Sequence, residues 1–445
     1  MKNFEIKRST QFFVKEIVLV TKAGNIDISS IYEEINIFDS IFSSVISGNI
    51  LVRDSIGLSS KLLFDGSESL LLEIAKDENS DIATYKKSFR VYKQSKRKND
   101  GLNTETYILN FVSDELMFSD QQRINQSYET TYSDIAQKIL SNYLKVRGNN
   151  LGGLYEESSG IKKIVIPNLR PLEAIEWCAK RAVDFSSSPS FIFFQNLTGY
   201  NFVSLSTLLT LPEILDIKFE LKNSSSLNSL SEISSARYME ILNINDAIEK
   251  TRNGVNAGKF IGFDPITRTV AERELTYGDH YYNMRHGNET PNYSSIVNRA
   301  GVENSKAFNS KKTMSVFSAA RKYSNYIKQN DPNSLTKEEN IEDWLFQRRA
   351  LIRNLMSKRI KFVMPGNFQL TSGFNVNVIA PNFGKKEKGD DNGDLSVNGK
   401  YVIVASRHII GYDKHETIIE VASSSTGNDF IPASNPLQNS ELLEY

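Results

Sequence analysis

A chain of 445 residues with 40% hydrophobic content has room for about three domains, each with its own apolar core. Lys+Arg and Asp+Glu both number 53, so the formal net charge is zero, which argues against a chain whose main task is gripping nucleic acid. A single cysteine, Cys178, excludes an intramolecular disulfide and a multi-thiolate metal site.

Lys15 and Glu16 interrupt the first apolar run and leave only Ile17–Val20, too little for the apolar region of a signal peptide. No stretch approaches the ~20 apolar residues of a membrane span. The expectation is a soluble chain folded in a reducing compartment, with no membrane insertion. The Asn-x-Ser/Thr triplets at Asn196, Asn288 and Asn292 then read as chance matches.

Residues 11–22 are apolar on both parities, Phe12, Val14, Val18 and Val20 against Phe13, Ile17 and Leu19. Such a strand is expected to be covered on both faces, by another layer or another subunit. Ile35 and Ile37 begin the next alternation. Ile50 and Val52 resume it after Gly48, where a bulge or sharp bend is expected. Leu58–Phe64 suits one or two helical turns. Leu70, Leu72 and Ile74, then Phe89 and Val91, then Tyr107, Leu109 and Phe111 mark further strands. Lys93–Asn103 between the last two reads as a long hairpin tip. Residues 1–115 are thus expected to form one all-β barrel.

At 116–210 the period changes to that of an α+β module. Thr131-Tyr-Ser-Asp134 looks like a capping box. Ile135, Ile139, Leu140, Tyr143 and Leu144 follow at helical spacing, and Gly148 stops the helix. Pro171 opens a second helix, with Leu172, Ile175, Cys178, Ala179 and Ala182 as its buried stripe. Glu173 and Glu176 near its start and Lys180 and Arg181 near its end suit the helix dipole. Phe191–Phe194, a turn at Gln195–Gly199 and Tyr200–Leu205 read as a tight hairpin.

The Ser/Asn-rich stretch within 211–235 reads as a linker. Strand-like runs resume at Tyr238–Ile244, Gly258–Asp264 and Thr267–Glu274. Residues 276–358 form a polar insertion, with a capping box at Thr336–Glu339 opening a helix over 337–358. Residues 359–422 alternate strictly: Ile360, Phe362 and Met364; Phe374, Val376, Val378 and Ala380; Tyr401, Ile403 and Ala405; Thr417, Ile419 and Val421. Four such segments read as an antiparallel barrel or sandwich half. Residues 424–445 read as a polar tail.

Candidate chemistry is sparse. His280 and His286 are six apart in a polar loop, with no third ligand at a metal spacing. Ser406, His408 and Asp413 contain the residue types of a hydrolase triad. Ser406 and His408, however, share one strand face, and no nucleophile turn precedes them, so a hydrogen-bonding histidine is the better reading. Asp390, Asn392 and Asp394 place oxygens like an EF-hand loop, yet Leu395 and Tyr401 stand where Gly and Glu are required. The acidic pairs Glu33/Glu34 and Glu156/Glu157 are ordinary for a charged surface. Lys385–Lys388 is balanced by the acids that follow it. No phosphate-cradling Gly-rich motif is present. No catalytic, cofactor-binding or metal-binding residue is assigned, and no cofactor is expected.

Three segments in order carry a family resemblance. They are Ile37–Phe42 through Ser47–Asp54; Pro171–Trp177 with Phe191–Phe194, Gly199–Phe202 and Ser204-Leu205; and Leu370–Gly373 with Val376–Val378, Gly399–Val402 and Arg407-His408. Together, across most of residues 10–422, they resemble the central baseplate hub protein of contractile-tailed bacteriophages. The resemblance implies a mainly β chain with α+β insertions. Two tail-tube-like antiparallel β-barrels, 1–115 and 236–275 plus 359–423, would join smaller α/β modules in a homotrimeric ring. Ser47-Gly48 and Ser372-Gly373 would be a trace of that duplication. It further implies a structural, non-enzymatic virion component of the tail baseplate, assembled in the host cytoplasm, that joins the six-fold tube to the three-fold spike. Implied partners are the central spike protein, tube or tube-initiator proteins and the tape measure protein, with genome DNA passing through without specific binding. The alternatives are a tail-associated cell-wall glycoside hydrolase, which needs two carboxylates across a cleft, and a host-surface glycan-binding protein using the aromatic loop Tyr277–Tyr293.

Overall fold

The computed structural model describes residues 12–62, 64–75, 85–101, 103–146, 153–186, 188–219, 234–255, 257–264, 268–276, 290–291, 296–297, 303–304, 314–318, 341–381, 393–394, 396–412 and 414–426. The chain opens with β1 (Phe13–Thr21), β2 (Gly24–Asp27), β3 (Tyr32–Ser40), β4 (Ser47–Asp54), the single turn α1 (Leu58–Lys61), β5 (Ser69–Ala75), β6 (Tyr85–Asn99) and β7 (Glu105–Ser113). An α+β stretch follows: α2 (Asp114–Asp120), β8 (Ser127–Thr130), α3 (Tyr132–Asn142), β9 (Lys162–Val165), α4 (Pro171–Arg181), the hairpin β10 (Phe191–Asn196) and β11 (Gly199–Ser204), and α5 (Leu205–Thr210). Then come β12 (Glu213–Lys218), β13 (Tyr238–Asn243), α6 (Ala247–Arg252), β14 (Ala257–Asp264) and β15 (Thr269–Thr276). Short pieces β16 (Thr290–Pro291), β17 (Ile296–Val297), β18 (Glu303–Asn304) and β19 (Met314–Ser318) precede α7 (Ile341–Leu355). The chain returns through β20 (Lys358–Pro365), β21 (Asn375–Ile379), β22 (Gly399–Ile410), β23 (His415–Ser423) and β24 (Ser425–Thr426).

The molecule is mainly β, with antiparallel pairing dominant and few helices among the described residues. One sheet holds thirteen strands in the order β13-β20-β23-β22-β3-β4-β7-β6-β5-β1-β2, with β21 also paired to β22 and β12 to β21. It is built from two halves joined where β22 pairs with β3, from Ala405↔Ser40 to Ile410↔Ile35. The first half encloses Ile17, Leu19, Ile35, Ile37, Ile50, Leu70, Phe89 and Phe111. The second encloses Ile360, Phe362, Met364, Val376, Tyr401, Ile403, Ile419 and Val421. In both, period-2 alternation sends one parity inward. No ladder among the described residues closes either half into a barrel; one parallel bridge, Lys218 to Ser235, links the end of β12 to the approach to β13.

Several expectations change in detail. Strand β12 lies in the stretch read as a linker; it pairs in parallel with β21 through Leu215↔Val376 and Ile217↔Val378. Strands β14 and β15, which the resemblance grouped with the second barrel, instead form a separate three-stranded sheet with β19. On β1 both faces are apolar, yet within one chain Phe13 and Val20 stay exposed. Gly48 is no bulge: β4 pairs regularly with Ile37 and Phe111 around it. Its role is close approach, since a Cβ there would stand 2.2 Å from the Phe111 ring and 2.3 Å from the Asn36 carbonyl. Gly373 has a different role, a turn at φ +88° beside the Phe194 ring. The Thr336–Glu339 box and most of residues 276–340 lie outside the described residues.

The α+β stretch docks on the sheet through Ile192, Phe194, Val203, Leu205 and Leu208, which meet Val402, Val404 and Ala422. Thr131 caps α3 by accepting from Asp134 N (3.2 Å), and Cys178 is fully buried on α4. Helix α7 clamps this stretch. Arg348 Nη1 reaches the carbonyls of Ala179 (3.4 Å), Pro189 (3.5 Å) and Phe191 (2.5 Å). Burial lowers its pKa to about 10, so it remains a cation at neutral pH beside the carboxyl end of α4. The Arg181 guanidinium lies 4.0 Å from the Trp177 ring and 5.6 Å from that of Trp344.

Gly48→Ala should cost roughly 3 kcal/mol, because both opposing groups are fixed in the sheet. An unchanged denaturation midpoint would refute that reading. Arg348→Met should cost roughly 2–3 kcal/mol by leaving buried carbonyls unpaired. It should also make 341–355 the first segment cut in limited proteolysis, with wild-type cleavage order as the contrary result.

Candidate functional site: a buried polar seam beneath a charge-balanced sheet face

The seam between the halves is polar. Asp39 follows Ile35 and Ile37 on the inward parity of β3 and is buried. Its carboxylate accepts from Thr371 Oγ1 (2.5 Å), Ser372 N (3.0 Å) and Ser406 Oγ (2.8 Å). Burial pushes its pKa up, and those three donors oppose the rise. Beyond Ser406 lies His408, fully buried, whose Nδ1 is 3.2 Å from Thr417 Oγ1. Phe368 stacks on His408 (5.1 Å) and on Tyr85 (5.5 Å) and packs on His415 (4.6 Å). The β10–β11 hairpin closes the seam: Asn196 Nδ2 donates to Ser372 O (2.8 Å) and Leu197 N to Thr371 Oγ1 (3.1 Å). Gln195 Oε1 accepts from Ile46 N (2.9 Å) and Ser113 Oγ (2.6 Å) on the first half.

This geometry is not a hydrolase triad. The Ser406 hydroxyl is committed to Asp39, and His408 Nε2 is a long 3.5 Å from Ser406. The acid therefore engages the serine, and the His408 ring is held instead by Thr417 at Nδ1. Asp413 lies outside the described residues. Sequence reasoning missed Asp39, although an aspartate in line with Ile35 and Ile37 is a legible sign of a buried acid.

The remaining candidates do not converge. Glu33 faces Arg53 (3.6 Å), Glu34 accepts from Asn36 Nδ2 (2.8 Å), and Glu156 accepts from Ser204 N (2.8 Å). Asp394 Oδ1 accepts from Ser396 N (2.9 Å), ordinary turn bonding. His280, His286, Asp390, Asn392, Lys385–Lys388 and most of the Tyr277–Tyr293 loop lie outside the described residues. Among the described residues no group of three His, Cys, Asp or Glu side chains could hold a metal, and no helix is long and apolar enough to cross a membrane.

The opposite face of the same strands is open and carries paired charges. Arg359 meets Glu420 (3.1 Å) and Lys361 meets Glu240 (3.2 Å). Arg407 donates to Asn36 Oδ1 (2.9 Å), within 3.9 Å of Glu34. Asn36 bonds Asn49 (3.1 Å) and Asn110 bonds Ser95 (2.9 Å). A shallow cleft of about 420 Å³ crosses this face at the seam, lined by Phe38, Ala405, Arg407, Ile418, Lys361 and Glu420. Exposed pairs of this kind contribute about 0–1 kcal/mol each, so stability alone does not explain them.

No protein-family model and no curated protein matches the chain. Among solved structures, the tail protein from Neisseria meningitidis MC58 superposes with a TM-score of 0.50 at 10% identity, covering 93% of this chain and 97% of that one. The chain shares the fold of this tail protein. The 43 kDa tail protein of prophage MuSo2 from Shewanella oneidensis follows at TM-score 0.48 and 10% identity, covering 92% of this chain and 98% of that one. A prophage tail protein from Listeria monocytogenes EGD-e has TM-score 0.45 at 10% identity, covering 92% and 94%. The fold shared with the Neisseria meningitidis protein extends over nearly the whole chain.

Burial holds the His415 pKa at about 4 and that of His408 well below 6.5. The unfolded chain therefore takes up protons first, and stability should fall as pH drops from about 6.5 towards 4. His415 alone would account for roughly 3 kcal/mol. Asp39 works in the opposite direction, since its raised pKa lets the folded state hold a proton that the unfolded state has lost. Thermal denaturation from pH 7 to pH 4 should show the net loss, with a flatter profile in His415→Gln; equal slopes would refute the assignment.

Proposed function

We propose that this chain is a structural component of a phage tail baseplate: a trimeric hub that joins the six-fold tail tube to the three-fold central spike. In this reading the two sheet halves act as look-alike barrels, so three chains present six. The face shared by β20, β23, β22, β3, β4 and β7 lines the channel. The observation that carries the proposal is the uninterrupted sheet through both halves, apolar beneath and charge-paired above. The tail-protein fold supports it. So does the order of the three resembling segments.

A channel wall for DNA must be wet and must not hold phosphate. Lys and Arg contacts to phosphate dominate non-specific affinity, with a strong salt dependence. On this face Arg359, Lys361 and Arg407 each have a carboxylate or amide oxygen within reach. Their charge is answered locally, which leaves little net attraction for a passing polyanion. The reading includes no enzymatic step and no cofactor. Its partners are the spike below, tube or tube-initiator proteins above and the tape measure protein, in the virion after assembly in the host cytoplasm.

Mass photometry of the purified chain should find three copies per particle, and a candidate central spike should add to that particle. A monomer at micromolar concentration that captures no spike would overturn the proposal.

A further inference from the structure

The charge pairing of the open sheet face stops at its β6 margin. Strand β6 is flanked by β5 only as far as Arg90; from Lys93 to Asn99 it pairs with β7 alone among the described residues. Lys93 stands opposite Asn110 and Lys98 opposite Thr106. Asn110 in turn stands opposite Asn49, and Asn49 opposite Asn36. Directly opposed residues share a face. Lys93 and Lys98 therefore border the same outer face as Asn36 and its partner Arg407.

From Tyr85 to Asn99 there are seven cations and no acid. Neighbouring strands answer some of them: Glu73 meets Lys86, Asp114 meets Arg90 and Glu105 meets Arg97. Lys93, Lys96 and Lys98 are exposed, with no ion pair among the described residues. Lys96 lies in the bulge between Ser95 and Lys98 at φ +52°. A side chain in that region costs about 1 kcal/mol, and no contact among the described residues offsets it. Tyr92, in a second bulge between Val91 and Lys93, is 51% exposed. Lys93 O accepts from Asn110 Nδ2 (3.2 Å); from Gln94 to Asn99 no element but β7 bonds the main chain among the described residues.

We infer that an extended, acid-rich segment of a partner protein lies along β6 at 93–99, with its carboxylates against Lys93, Lys96 and Lys98. The inference rests on the ring reading above. A wall that lets DNA pass gains nothing from bare ammonium groups at its margin, because phosphate contacts to lysine dominate non-specific affinity. Arg359, Lys361 and Arg407 are answered within the chain. At the β6 margin the complementary charge must come from outside, and a carboxylate supplies it without holding the genome. An open strand edge takes an extended chain through main-chain hydrogen bonds, and side chains then give specificity. Alternation sets the pattern: acids at every second position of that segment fall on the face of Lys93 and Lys98. Edge lysines and bulges discourage indiscriminate strand pairing. The same lysines admit a strand of opposite charge, so they select as well as exclude.

The test uses the full chain and three labelled probes: a peptide of about ten residues alternating Glu and Val, the same peptide with Gln for Glu, and a short duplex DNA. The Glu peptide should bind, and the Gln peptide should bind about tenfold more weakly. Raising salt from about 50 to 500 mM should remove most of the difference. Hydrogen exchange should slow at main-chain amides within 94–99 when the Glu peptide is present. Lys93→Glu with Lys98→Glu, and separately Lys93→Gln with Lys98→Gln, should each weaken the Glu peptide about tenfold at an unchanged denaturation midpoint, since both lysines are exposed. No binding of the Glu peptide, or equal binding by wild type and both variants, would overturn the inference. So would DNA that binds more tightly than the Glu peptide and is lost in the same variants, since phosphate would then be what the lysines meet. The particle mass of the same samples tests the ring reading on its own, because the peptide needs only one copy of the edge.

Discussion

A carboxylate almost wholly buried is tolerable only if several donors reach it at once. Asp39 meets that condition at the line where the two halves of the sheet join. It sits on β3; its donors are Ser406 on β22 and Thr371 and Ser372 in the loop before β21. None of these elements can withdraw without leaving a buried charge short of partners. That costs several kcal/mol, whereas an ordinary ladder hydrogen bond contributes about 1. The knot also fixes register. Sliding β22 by one residue along β3 would replace Ser406 and His408 at the seam with Ala405 and Arg407, placing a guanidinium in the core. The apolar cores make the halves stable; the polar seam makes their union specific.

The hairpin β10–β11 extends this constraint to the rest of the chain. Gln195 bonds to the first half, Asn196 and Leu197 to the seam loop, and Phe194 fills the space beside Gly373. Helix α7 then pins the carboxyl end of α4 through Arg348 and leads directly into β20. A force on either half is therefore transmitted through fixed hydrogen bonds, not through a linker.

Much of this was legible in the sequence, and the exceptions share a cause. Alternation gave the strands of both halves, because one buried face imposes period two. Capping and apolar spacing gave α3 and α4, whose signals lie within a few residues of one another. What escaped depends on residues far apart. Strand β12 is short, and its partner β21 lies some 160 residues later in parallel pairing, so no local pattern announces it. Gly48 looked like a bend because nothing nearby reveals that Phe111 needs its space. The likeness of Gly48 to Gly373 was one of letters, since one admits a ring within a strand and the other turns the chain at positive φ. Asp39 was hidden by its surroundings: its parity was readable, but its three donors come from more than 330 residues downstream.

The formal neutrality of the chain is also less uniform than its total implies. Charges act over roughly a Debye length, about 8–10 Å in physiological salt, so a global sum says little about any one surface. On the open sheet face each cation has an oxygen partner within a few ångströms, and the local sum is near zero there as well. Along β6 from Tyr85 to Asn99, by contrast, the chain carries seven cations and no acid.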